Sequence, residues 1–166
     1  MNLEPILTAI HDWSVSDAIR QSEYAFPALE SIHVFAITTV VGFISIVDLR
    51  LLGVPAHTRN VKSLLGQLLP VVWGAFALAA VSGGLMFASN ATGYAKNFDF
   101  QAKMLLMLLA FCNMVVFHFM GQRRIAEWVA VGPTPAIAKF SGGLSLLLWI
   151  GVVGFGRWIG FTLAPF

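Results

Sequence analysis

Charge is what this sequence most lacks. Lys, Arg, Asp and Glu make up 11% of its 166 residues, against about 25% in an ordinary soluble domain. That scarcity excludes a highly charged disordered chain and argues against a soluble globule. The net charge of +2 is uninformative by itself, and no nucleic-acid partner is expected. Cysteine is almost missing too. The single Cys112 sits in an apolar run, which excludes an internal disulfide framework and a thiolate zinc site. There is no nucleotide-binding glycine loop, no nucleophile–base pair and no zinc-ligand spacing. Residues 1–26 lack a basic start followed by an apolar core, so no cleavable signal is expected.

What is abundant is apolar sequence, 58% of the chain. Runs of roughly 20 apolar residues recur four times, the length that spans a bilayer core. The expectation is an all-α integral membrane protein, an up-down-up-down four-helix bundle. The predicted spans are 28–52, 64–89, 99–122 and 138–163, within one bundle unit over 27–166. Pro70 should kink the second span, since proline removes a backbone donor. Residues 1–26 form a separate amphipathic segment, with Trp13 at the membrane interface. In it Ser14 and Asp17 have capping-box spacing, and Pro5 suits a first helical turn. A short interfacial helix is expected over 123–131, ended by Gly-Pro-Thr-Pro at 132–135. Glycines 142, 143, 151, 154, 156 and 160 give the fourth span small faces for close helix contact, within the bundle or with a second copy.

Basic residues set the expected orientation. Arg50, Arg59 and Lys62 flank the first connection; Arg123, Arg124 and Lys139 flank the third. The other side has Arg20 and Lys96. The positive-inside rule then puts both termini and the 90–98 connection outside. Asn90-Ala-Thr92 on that side has the form of a glycosylation sequon and is read as chance.

This topology brings ionisable groups to one depth. His33 and Glu30 lie in the outer third of span one, Lys103 at the outer start of span three, and Arg157 near the outer end of span four. Such groups inside a membrane are costly and are expected to face the bundle interior. One haem accounts for the set. His33 would be an axial ligand through a ring nitrogen, and Lys103 or Met86 would approach the other face. Arg157 would pair with a propionate. Gly83 and Gly84 would leave room for the macrocycle, and Glu30 would orient the imidazole or hold Arg157. The plainer alternatives are a hydrogen-bonding His33 and a structural Glu30–Arg157 pair.

The stretch Glu30-Ser-Ile-His33-Val-Phe-Ala-Ile, with Asp48-Leu-Arg50 and Phe98-Asp-Phe-Gln-Ala-Lys103-Met-Leu-Leu-Met-Leu-Leu, resembles two bacterial four-helix membrane families. They are the HemJ-type protoporphyrinogen oxidases and the copper-resistance D-type membrane domains. The first resemblance implies a b-type haem served by His33 in the first span and Lys103 at the start of the third. It also implies a bacterial inner (cytoplasmic) membrane location.

His118 and His57 both fall on the expected inner side, which leaves open a second haem between them. A His33–His118 ligand pair is disfavoured because their depths differ by roughly 15 Å at the helical rise. His11 is expected at the interface, or near the outer site if its segment folds over the bundle mouth. The expected function is a membrane cytochrome b passing electrons between the quinone pool and a partner on the outer side. The enzyme alternative is a quinone-linked porphyrinogen oxidase. The third is a non-catalytic accessory subunit of a larger redox complex, or a copper-handling protein using Met86 and His33.

Overall fold

The computed structural model describes residues 4–54, 61–131 and 135–163, apart from the side chains of 61–65, 118 and 120–131. Among the described residues the chain is helical, with no strand. Two short helices, α1 (Glu4–His11) and α2 (Ser14–Gln21), precede α3 (Ala25–Leu52) and α4 (Val61–Ser89). A six-residue α5 (Ala91–Lys96) leads to α6 (Phe98–Val131) and α7 (Ala136–Thr162). α3, α4, α6 and α7 each hold a stretch long and apolar enough to cross a membrane. The protein is an all-α four-helix membrane bundle, as its composition indicates.

The packing order is α4, α3, α7, α6. α3 lies along α4 on one side and α7 on the other, and α7 lies along α6. No comparable seam joins α4 to α6 among the described residues. The ring is therefore open on that side, bridged at one end by Phe87, Tyr94 and Phe100. Phe87 and Phe100 stack with centroids 5.4 Å apart, and Tyr94 meets Phe100 edge-on at 5.5 Å. Val40 and Val152, both fully buried, belong to the core of α3 and α7. Leu105, Leu108 and Phe111 are more than half exposed, which marks the lipid face of α6.

Close approach of α3 and α7 depends on Gly142. A methyl group there would lie 2.9 Å from the Asp48 carbonyl oxygen and 3.0 Å from Leu51 Cβ. Small residues at such a seam let backbones meet without a gap. α3 stops at Gly53, whose φ of 87° is left-handed and whose amide returns to the Arg50 carbonyl. Glycine takes this conformation without the penalty a Cβ would bring.

Two expectations change. α6 runs on to Val131 as one 34-residue helix, so 123–131 is not a separate interfacial helix. Its residues Gln122, Arg123, Arg124, Ala126 and Glu127 favour helix, and no proline intervenes before position 133. At the start of α2, Trp13 occupies the cap position without a side-chain bond. Asp17 pairs with Arg20 instead of closing a capping box. The connection between α4 and α6 holds the short helix α5. Asn90 caps it by accepting from the Gly93 amide at 3.1 Å, which gives the asparagine of the sequon-like triplet a local task.

The α1–α2 hairpin folds against the bundle end at α4 and α5. One Arg20 nitrogen donates to the His11 carbonyl at 2.8 Å and to the Ser89 carbonyl at 3.0 Å. Ser89 is the last residue of α4, where exposed carbonyls and the helix dipole attract a cation.

Candidate functional site

His33 lies on the face of α3 that also carries Phe26, Ala36 and Val40, all buried. That face meets α4. His33 Nδ1 is 2.9 Å from the Ala79 carbonyl oxygen and 3.1 Å from Ser82 Oγ. A carbonyl only accepts, so Nδ1 carries the proton and donates. The Ser82 hydroxyl hydrogen is directed to the Leu78 carbonyl at 2.7 Å, which leaves the serine oxygen to accept from the ring. In the neutral imidazole Nε2 is then the unprotonated nitrogen. A histidine anchored through Nδ1 to a backbone carbonyl, with Nε2 open, is the arrangement found in metal-ligating histidines.

Gly83 makes this ring position available. A Cβ on it would come within 2.8 Å of Cε1 and 3.2 Å of Nδ1 of His33. Gly84, one residue on, meets nothing within 4 Å. Met86 falls on the same α4 face as Ala79, Ser82 and Gly83 by helical spacing, and it is half-buried. From α6, Lys103 enters the interior. Its stem lies 3.7 Å from where a Cβ on Gly156 of α7 would be. Lys103 has no carboxylate partner among the described residues.

A family model for a family of unknown function, DUF6644, matches residues 22–162. The chain belongs to the DUF6644 family. No curated protein matches it, and no solved structure does. The region matched to DUF6644 begins after α2, so it takes in every residue of the His33 site.

Within this DUF6644 bundle the expected site residues separate into two groups. Those that turn inward are His33, beside Gly83, Lys103, beside Gly156, and Met86, on the Gly83 face of α4 by helical spacing. Glu30 and Arg157 do not. Glu30 is exposed and lines a shallow surface groove with Ser31, Val34, Phe35 and Thr38 of its own helix. The task of orienting His33 belongs to Ala79 and Ser82. Arg157 is exposed, and its guanidinium carbon sits 5.2 Å from the Phe161 ring centre. The reason is register: Gly156 takes the inward position beside Lys103, and the next residue is turned about 100° away. Gly83 makes room for the histidine ring itself, and Gly84 lies in open space. His11 is near the bundle end but faces Arg20, 3.3 Å from its nitrogen. His57 and the His118 side chain lie outside the described residues.

Tyr94 is a residue that sequence reading missed. It is buried under α5, where burial first, then the nearby Glu30 charge, pushes its hydroxyl above the usual tyrosine range. A second missed set lies toward the other end of the bundle. Asn113 of α6 and Ser141 of α7 exchange hydrogen bonds. The asparagine amide donates to the Ser141 carbonyl, and the serine hydroxyl donates to the asparagine oxygen, both at 3.1 Å. One turn along α7, Ser145 bonds the carboxyl of buried Asp48 on α3. The i, i+4 serines of α7 were the available signal, but serines in apolar helices so often bond their own backbone that the pattern alone did not point across the seam.

Among the described residues no three His, Cys, Asp or Glu side chains gather into a metal-ligating group. A bare zinc ion would want such a set. Haem iron needs only one or two protein ligands, because the porphyrin brings the rest.

Proposed function

We propose that this protein is a membrane-embedded b-type haem protein of the bacterial inner membrane. It passes electrons between the quinone pool and a partner at the His33 side, which is the outer side. The observation that carries this reading is the state of His33, with Nδ1 held by Ala79 and Ser82 and Nε2 free to ligate. When bound, the haem would supply a one-electron couple of the kind such cytochromes use.

The remaining roles belong to the chain. Ala79 and Ser82 hold the ring and set its tautomer. Gly83 keeps that position open. Lys103, with Met86 as the alternative, would be a second residue to hold the group, and only as a neutral amine; in its charged form the half-buried Lys103, without a carboxylate partner among the described residues, would instead suit a carboxylate. The open side between α4 and α6 gives a flat ligand or a quinone a lateral way in from lipid. The resemblance to HemJ-type oxidases supports the same assignment for His33 and Lys103.

The test is a reduced-minus-oxidised spectrum of protein purified from haem-replete cells. A b-type signal is expected, and His33→Ala should remove it. No signal in the wild type would end the haem reading. A signal that persists unchanged in His33→Ala would end the ligand assignment. Rescue of a porphyrinogen-oxidase-deficient strain would replace simple electron transfer with the oxidase activity.

A further inference from the structure

The Asp48 carboxyl belongs to no part of the haem site. It lies fifteen residues along α3 from His33, about 22 Å at the helical rise, toward the opposite end of the bundle. The residue is 5% exposed. Ser145 of α7 bonds its carboxyl, while Oδ2 is fully enclosed and has no hydrogen-bond partner. A carboxyl enclosed in this way calls for a proton or a cation as its counterpart.

The surroundings decide between the two. Along α7 the facing groups are Ser141, Gly142 and Ser145, none charged; Lys139 at that end is exposed. α4 brings no charged residue between 66 and 89. On α3 itself Arg50 is two residues away, and its Nε is likewise buried without a partner, so that atom is not spent on Asp48. A metal cation would want an oxygen cage. Here the described oxygens are the carboxyl and one hydroxyl, because Ser141 and Asn113 satisfy each other and the helix carbonyls are engaged in their own ladders. A single proton on Oδ2 needs no such cage.

We propose that Asp48 is a proton-binding site, with Ser145 as its fixed hydrogen-bond partner, loaded from the aqueous phase at the end of the bundle away from His33. The site stands whether or not the protein holds haem. It places a proton station and the proposed electron station at opposite depths of one helix.

Dicyclohexylcarbodiimide on the full-length protein in membranes, followed by peptide mapping, tests this. The reagent takes the proton of a protonated carboxyl onto its nitrogen while the carboxyl oxygen adds to its central carbon. The adduct then rearranges to a stable N-acylurea, with no atom lost. Label at Asp48 is expected, declining as pH rises and indifferent to sodium or potassium at fixed pH. Protection by either ion at fixed pH would overturn the proposal in favour of a cation site. Infrared difference spectra in H2O and D2O give the second reading, a protonated-carboxyl band present in the wild type and lost in Asp48→Asn. That band supports the proposal even where the reagent does not reach. Absence of label together with identical bands in wild type and Asp48→Asn would overturn it. The Asp48→Asn protein should keep its haem spectrum, so this test and that of the haem reading fail independently.

Discussion

At the scale of single residues, Gly83 and Gly84 make the sharpest contrast. A methyl on Gly83 would meet the His33 ring at 2.8 Å, whereas one on Gly84 would meet nothing within 4 Å. Overpacking of this kind typically costs about 1–3 kcal/mol, and here the strain falls on the His33 ring, the proposed ligand. Gly83→Ala should therefore lower haem retained per protein severalfold, measured by pyridine haemochrome, while Gly84→Ala leaves it unchanged. Equal retention in the two variants would separate Gly83 from the His33 pose. Tyr94 gives a pH prediction. Its hydroxyl is held above the ordinary value near about 10 by burial and by Glu30. An acid whose folded pKa is raised costs the fold nothing below the ordinary value. Folded stability then falls as pH rises past it, because the unfolded tyrosine gives up its proton more readily. The chain has two tyrosines, exposed Tyr24 and buried Tyr94. Tyr94→Phe should remove the later part of the alkaline tyrosinate absorbance rise, and Glu30→Gln should move that part to lower pH. Of this site, His33 and Lys103 were legible because an ionisable residue in an apolar run stands out. Ala79 and Ser82 were not, because a backbone carbonyl has no signature and one serine in a helix has many explanations.

At the scale of elements, hydropathy alone was enough to find the four long helices, since each must bury or expose an apolar surface over a bilayer's thickness. It failed where local chemistry competes. The Ser14–Asp17 spacing has the form of a capping box, yet Asp17 is taken by Arg20. Arg20 is the clamp of the whole hairpin. It joins His11 in α1 to the final carbonyl of α4, and a hydrogen bond from a charged donor is worth about 1.5–3 kcal/mol. The Lys96–Glu4 pair also ties α1 to α5, at 3.0 Å, but both side chains are more than half exposed, and such pairs contribute little. Arg20→Ala should accordingly speed amide exchange across 4–21 in detergent micelles, with α3 and α7 unchanged. Glu4→Gln should have a small effect or none. A large effect from Glu4→Gln with little from Arg20→Ala would reverse the ranking of the two contacts.

At the scale of the whole molecule, the open ring and the two polar stations acquire a direction only from the side of the membrane each faces. Four spans put the start of α3 and the end of α7 on one side, together with α5. The connection between α3 and α4 lies on the other side, with that between α6 and α7. Arg59, Lys62, Arg123, Arg124 and Lys139 belong to the second side, while Arg20 and Lys96 belong to the first. Positive charge is retained on the cytoplasmic face, so the proposed orientation has the His33 end external and the Asp48 end internal. Cys112 is exposed near the middle of α6 and is first replaced by serine. Single cysteines at Ser14, Gly93 and Leu163 should then react with a membrane-impermeant maleimide added to intact spheroplasts. One at Thr58 should react only after the membrane is opened. The reverse pattern would leave both stations in place, since alternation of the spans and not orientation separates them. It would move the proposed electron partner to the cytoplasm and have Asp48 take its proton from outside.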